Sequence, residues 1–261
     1  RSWGLRSAAA TFEKAGIERK AYFDGVRGAF DEAMAYSDHQ LGLLVERLEA
    51  TGEWENTILI VTADHGDWPG LGYFDAWAPF ERVAYLNPYL GRVPLVVTWP
   101  AKIKPGQRFR DPVSLLDLLP TVLDLAGRPR PDYLQGQSLA PLLLGKPGWQ
   151  PRPVVIDELT WSPRTGNPNA ILEIVDGRWG ASLQISKDHG EGPRLLLHDL
   201  WNDPYCLKSL HEERPDLVTK YTGILERTFR EHQALARKFP RGKGGAMDSE
   251  QLKTLQSLGY I

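Results

Sequence analysis

The chain has 261 residues, 42% of them hydrophobic, with a formal net charge of -2. That is enough chain for one sizeable core with a smaller appended unit, and it lacks the concentrated basic character that nucleic acid or an anionic membrane surface demands. A single cysteine, Cys206, excludes an internal disulfide framework and any multi-cysteine zinc or iron–sulfur site.

No apolar run reaches the length of a membrane span. The first residue is Arg1, not Met, and no basic-then-apolar signal segment follows, so the chain is expected to be part of something longer. From residue 18 to 50 the pattern is helical. Phe23, Val26, Phe30, Met34, Leu41, Leu44, Val45 and Leu48 recur at spacings of three and four, which predicts one buried stripe, and Gly52 is the expected stop.

Residues 57–62 read as a strand. Ile58, Leu59, Ile60 and Val61 are apolar without alternation, the pattern of a strand buried on both faces, and such a strand is usually parallel and central. It ends in Asp64-His65-Gly66. In open α/β sheets ligands bind beyond the carboxyl ends of strands, so Asp64 and His65 are expected where chemistry is done. A carboxylate followed by an imidazole offers a hard oxygen and a borderline nitrogen, which suits a divalent cation. A plain turn capping the next element is the competing reading.

Residues 67–91 form a long connection rich in aromatic residues, Trp68 and Trp77 among them. A loop of that length is usually functional, so a lid or substrate wall is expected, with stacking suited to an aryl or sugar group. A second buried strand follows at residues 93–99. Ser114-Leu-Leu-Asp117 reads as a capping box, with Pro120 dividing the helical stretch after it and Gly127 ending that stretch. Residues 138–144 form a further short helical piece.

Beyond a Pro/Gly-rich change of composition at residues 147–153, four short strand-like runs at 154–159, 170–175, 179–185 and 194–200 predict a small antiparallel sheet. A helix from Pro215 to Phe239 is expected to cover one face of it, with Leu217, Val218, Tyr221, Ile224, Leu225 and Phe229 inward. The expected organisation is therefore residues 1–150 as an α/β part, 151–239 as a sheet-plus-helix unit and 240–261 as a tail with a short helix.

These residues carry a resemblance. The long helix, Asn56-Thr-Ile-Leu-Ile-Val-Thr-Ala-Asp-His-Gly66, Arg92-Val-Pro-Leu-Val-Val97, Pro105-Gly, Val113-Ser-Leu-Leu-Asp-Leu-Leu-Pro-Thr-Val-Leu-Asp-Leu-Ala-Gly127, Gly136-Gln-Ser-Leu and Leu197-His-Asp-Leu-Trp-Asn-Asp-Pro204 together resemble the second half of a sulfatase, in the alkaline phosphatase superfamily. The resemblance implies an α/β fold, here part of a large mostly parallel sheet flanked by helices, followed by a small antiparallel sheet packed by a C-terminal helix. It implies hydrolysis of a sulfate ester at one divalent cation, usually calcium, with a formylglycine made from a C-x-P-x-R motif. Asp64 matches the family's carboxylate ligand, and His65 matches its neighbour, often Asn in the family, which makes His65 a metal ligand or a sulfate contact.

The departures are also specific. No Pro is followed two residues later by Arg, and no Asp-Asp pair is present, so the nucleophile, the formylglycine and the remaining carboxylates are expected in a half that would precede Arg1. Where the family commonly places a sulfate-binding Lys, Arg82 is the only cationic residue between Asp67 and Gly91 and is the candidate catalytic substitute. Trp68, Trp77, His65 and Arg82 make up the expected substrate contacts, and the expected partner is a sulfated small molecule or carbohydrate. Many relatives of this kind are exported. A phosphatase or phosphodiesterase of the same superfamily, and a non-catalytic chain that binds a sulfated ligand, remain alternatives at this stage.

Overall fold

The computed structural model describes residues 14, 16, 18–66, 91–161, 168–185, 194–204, 206 and 208–239. The chain divides into two compact units, residues 1–222 and 223–261. Helix α1 spans Arg19–Ala50. Its end is a Schellman arrangement: Gly52 takes φ 73°, its N–H donates to the Glu49 carbonyl at 3.0 Å, and Glu53 N–H donates to Leu48 at 2.9 Å. The expected buried stripe is only half covered. Phe30, Leu41, Val45 and Leu48 are part-buried, whereas Met34 and Leu44 are exposed; the described residues supply no layer that closes over them.

After a 3-10 turn at Trp54–Asn56, strand β1 (Leu59–Thr62) pairs with β2 (Leu95–Thr98). The pairing is antiparallel, with Leu59 opposite Thr98 and Thr62 opposite Leu95. This corrects the expectation of a parallel strand buried on both faces. Among the described residues β1 has one partner, and its side chains are part-buried or exposed. The large, mostly parallel sheet is likewise not found among the described residues, where both sheets are antiparallel.

The core of this part is a cluster of Trp99, Ile103, Leu125, Leu139, Ala140 and Leu143, against which Ile58, Leu95 and Val97 of the ribbon pack. It is closed by a second 3-10 turn (Leu115–Asp117), helix α2 (Leu118–Leu125) and the single-turn helix α3 (Ala140–Leu143). Ser114 and Asp117 form the capping box. Pro120 does not divide the helix. It lies in the first turn of α2, where its missing N–H has no intrahelical partner to lose.

Asp117 is 2% exposed, yet its carboxylate is fully engaged. It accepts from Ser114 N–H at 2.9 Å, from Gln137 N–H at 2.7 Å and from Arg152 Nη2 at 2.6 Å. Thr121 Oγ1 donates to the Asp117 carbonyl at 2.5 Å and accepts from Leu139 N–H at 2.8 Å. The chain crosses this turn so closely at Gly136 that a Cβ there would lie 1.9 Å from the Leu116 carbonyl oxygen, so only glycine fits.

The second sheet is a four-stranded antiparallel meander, β3 (Val154–Trp161), β4 (Pro168–Asp176), β5 (Trp179–Ile185) and β6 (Arg194–Asp199), as the four strand-like runs predict. Ile174, Ala181 and Leu197 form a fully buried row across it. Helix α4 (Pro215–Lys238) begins at the expected proline. In its first turns Tyr221 is buried, and its hydroxyl donates to Asp176 Oδ2 at 3.1 Å, beside Lys220 Nζ at 2.6 Å. Phe229, expected inward, is exposed. No helix among the described residues is long and apolar enough to cross a membrane.

Two outcomes follow for stability. Asp117→Ala strands two backbone N–H groups inside the fold and should cost about 2–6 kcal/mol in denaturant unfolding, at about one to three per orphaned group. The second concerns His198, whose pKa is lowered by burial, opposed in part by its hydrogen bond to the Lys208 carbonyl and by Asp203, with His211 adding to the lowering. The folded state therefore prefers the neutral ring. Stability should be full above the unfolded value of about 6.5 and fall as pH drops below it, because the unfolded chain then binds the extra proton. Melting temperature against pH should show this slope, and His198→Gln should flatten it.

Candidate functional site

Strand β1 ends at Thr62, whose Oγ1 donates to the Pro94 carbonyl at 2.8 Å, tying the exit of β1 to the entrance of β2. The chain then bends at Asp64 and His65. Asp64 Oδ1 accepts the His65 backbone N–H at 2.9 Å, and His65 Nδ1 lies 2.6 Å from the Gly66 carbonyl. A carbonyl only accepts, so in the neutral ring Nδ1 carries the proton and Nε2 the lone pair. Nε2 lies 3.8 Å from Asp64 Oδ2.

That separation bears on a metal. Two donors held about 2.0–2.6 Å from one cation lie at most about 5 Å apart, so both groups reach one ion from where they are. A ring N–H that donates to a backbone carbonyl, leaving the other nitrogen as the acceptor, is also the usual preparation of a metal-binding histidine. The donor set is incomplete, however. Among the described residues no group of three or more His, Cys, Asp or Glu side chains could hold a metal ion, and a calcium ion takes six to eight oxygens.

The strand before this bend reads as buried on both faces, but the Asp64 side chain is 86% exposed and that of His65 66%. Among the described residues β1 has one strand partner, and the bend that follows it lies in solvent. Arg82, Trp68 and Trp77, and with them the expected aromatic lid, lie outside the described residues. Cys206 is a packed thiol, pushed up to about 12 by burial and by the nearby carboxylates of Asp203 and Glu173.

Sequence reading missed the polar character of one face of the small sheet. Glu173, Ser182 and His198 are each at most 2% exposed. The signal is weak: Glu173 sits between Leu172 and Ile174, Ser182 between Ala181 and Leu183, and His198 after Leu197, and only the strand pairing puts the three on one face. It also missed that Asp199, within the last matched motif, is a structural anchor. It accepts from Arg178 Nε at 3.0 Å and from Asn202 Nδ2 at 2.8 Å, and the Arg178 guanidinium holds its carboxyl well below the usual carboxylate range.

Comparison with known proteins bears on the whole arrangement. Residues 6–128 match the family model described as Sulfatase. Steryl-sulfatase from Rattus norvegicus is 34% identical over 129 residues, 46% of this chain and 22% of the relative. A solved structure in complex with its substrate D-glucosamine-2-N,6-O-disulfate aligns with a TM-score of 0.59 at 22% identity, covering 76% of this chain and 39% of that one. The phosphonate monoester hydrolase of Agrobacterium radiobacter aligns equally well, with a TM-score of 0.59 at 24% identity, covering 76% and 40%. At those identities the two structures share the fold. The chain spans about a fifth to two-fifths of the length of the curated relatives it matches.

Because Asp64 is exposed, Asp64→Asn should change the stability of this chain by no more than about half a kcal/mol. Thermal unfolding of both proteins side by side checks this; a loss several times larger would mean that the carboxylate is part of the fold.

Proposed function

We propose that this chain, which is a sulfatase-family segment, forms part of a sulfuric ester hydrolase of the alkaline phosphatase superfamily and supplies one side of its metal site through Asp64 and His65. The observation that carries the reading is the pairing of Asp64 Oδ2 and His65 Nε2 at 3.8 Å, at the end of a strand in a family-matched segment. The β1–β2 ribbon is then one margin of a larger, mostly parallel sheet, and the nucleophile, as a formylglycine, belongs to a portion of the enzyme outside this chain.

A divalent cation, calcium by family resemblance, when bound would polarise a sulfate oxygen and lower the pKa of the attacking hydroxyl. The residues of this chain prepare for that. Asp64 supplies negative charge, its other oxygen being fixed by the His65 N–H. The Gly66 carbonyl keeps the His65 proton on Nδ1, so Nε2 is the nitrogen that meets a cation or, in the charged ring, a sulfate oxygen. Arg82 is the proposed contact to the substrate anion, a planar fork in place of a lysine's point charge. Trp68 and Trp77 are the proposed wall for an aryl or sugar group. A sulfated carbohydrate is the favoured substrate class, because one structural neighbour is described with a disulfated glucosamine as its substrate.

A second reading has its own support. The likeness to a phosphonate monoester hydrolase means that the same scaffold carries a phosphorus ester chemistry, and Asp64 with His65 would serve that reaction too.

The test compares substrates, and this chain with an active enzyme that contains it. The purified 261-residue chain should not hydrolyse an aryl sulfate above a metal-only control, and calcium should bind it weakly by calorimetry. Measurable turnover, or tight binding lost in Asp64→Asn, would mean that the site is already complete here. In an active enzyme containing this segment, Arg82→Ala should lower kcat for an aryl sulfate by about 10²–10³ with little change in Tm. A preference for aryl phosphonate over aryl sulfate would favour the second reading.

A further inference from the structure

We propose that the face of the small sheet opposite Tyr221 holds a buried water molecule between His198 and Ser182. Tyr221 bonds Asp176, so α4 begins against the face of β4 that carries residues 172, 174 and 176. Alternation turns Glu173 to the other face, and the register sets Ser182 directly opposite both Glu173 and Leu196, with His198 opposite Gly180. Glu173, Ser182 and His198 thus share one face, at 1%, 0% and 2% exposure.

The proton positions follow from the bonding. His198 Nδ1 lies 3.1 Å from the Lys208 carbonyl, so it donates, and in the neutral ring Nε2 is a lone-pair acceptor. Neither Nε2 nor Ser182 Oγ meets a hydrogen-bond partner among the described residues, and groups so deeply buried are satisfied in folded proteins by protein or by ordered water. His198 and Ser182 are diagonal neighbours on adjacent strands, about 7–8 Å apart at the backbone and less at the side chains. A single water reaching about 2.8 Å to each side closes that distance.

The surroundings favour water over an ion. Leu196 lies opposite Ser182, and the Leu200 side chain covers Gly180, reaching within 2.9 Å of where a Cβ would sit there. That apolar frame separates the pair from solvent, while the neighbouring Glu173 carboxylate supplies a third polar group in the same row. No set of metal ligands is found among the described residues. The water donates one hydrogen to Nε2 and shares the other bond with Ser182. Nδ1–H is thereby kept on the Lys208 carbonyl, where it helps hold residues 208–210 along β6, beside the Leu210 N–H to Leu197 carbonyl bond of 2.7 Å.

A crystal structure of the 261-residue chain at a resolution that shows ordered water should contain a peak within hydrogen-bonding distance of both His198 Nε2 and Ser182 Oγ. A direct bond between the two side chains, or an empty apolar gap, would overturn the proposal. Melting temperatures of Ser182→Ala, His198→Phe and the double variant give an independent reading. Each single change leaves the bridging water short of a partner, whereas the pair removes the site, so the double variant should lose less than the sum of the singles. Strict additivity would overturn the bridge, and if His198→Phe does not fold, the wild-type density decides alone.

Discussion

The constraint on which the first unit depends is the burial of one carboxylate. Asp117, 2% exposed, is tolerable there because its side-chain oxygens accept from two backbone N–H groups and a guanidinium. Those donors come from residues 114, 137 and 152, so satisfying one charge fixes three passages of chain relative to each other. The loop held by Gln137 is the loop that crosses Leu116 at Gly136, and Leu139 beyond it enters the core with Trp99 and Ile103. Ile58, Leu95 and Val97 rest on that same cluster. The position of the β1–β2 ribbon, and hence of the bend at Asp64, is inherited from a carboxylate more than fifty residues away in sequence.

This bears on what the sequence discloses. Ser114 and Asp117 were legible as a capping box, and Gly52 and Gly127 as helix stops, because each rests on local backbone chemistry within a few residues. The four strands of the meander were legible because turn residues such as Asp176-Gly177 separate them. The pairing of β1 was not. An apolar run reports that a strand has apolar surroundings but not how many neighbours it has or which way they point, and here the neighbour found among the described residues is antiparallel. The stripe on α1 misled in the same way: periodicity gives a face, while burial depends on what is present to cover it, and Met34 and Leu44 are exposed. The polar face of the small sheet was hard to read for the opposite reason: a Glu, Ser or His among apolar residues of a strand reads as a solvent-facing position, yet Glu173, Ser182 and His198 are buried.

The place of Asp64 and His65 in the fold was legible, and the exposure of the strand end that carries them was not. Asp64 and His65 do lie together beyond the end of a strand, with His65 Nδ1 held by a backbone carbonyl as a ligand histidine would be. They are nevertheless the exposed polar groups, and the buried ones are elsewhere. Two aspartates of the same chain divide the labour: Asp117, inside, accepts three bonds and organises the fold, while Asp64, outside, accepts one local bond and keeps an oxygen for other use. Several of the residues that carry the family resemblance, Ser114, Asp117, Thr121, Gly136 and Asp199, belong to the first kind.

A steryl-sulfatase and a phosphonate monoester hydrolase both resemble this chain, and a fold is indifferent to whether sulfur or phosphorus is attacked. A sulfate monoester and a phosphonate monoester each carry one negative charge near neutral pH, so charge alone does not set the two chemistries apart, and a scaffold that suits one suits the other.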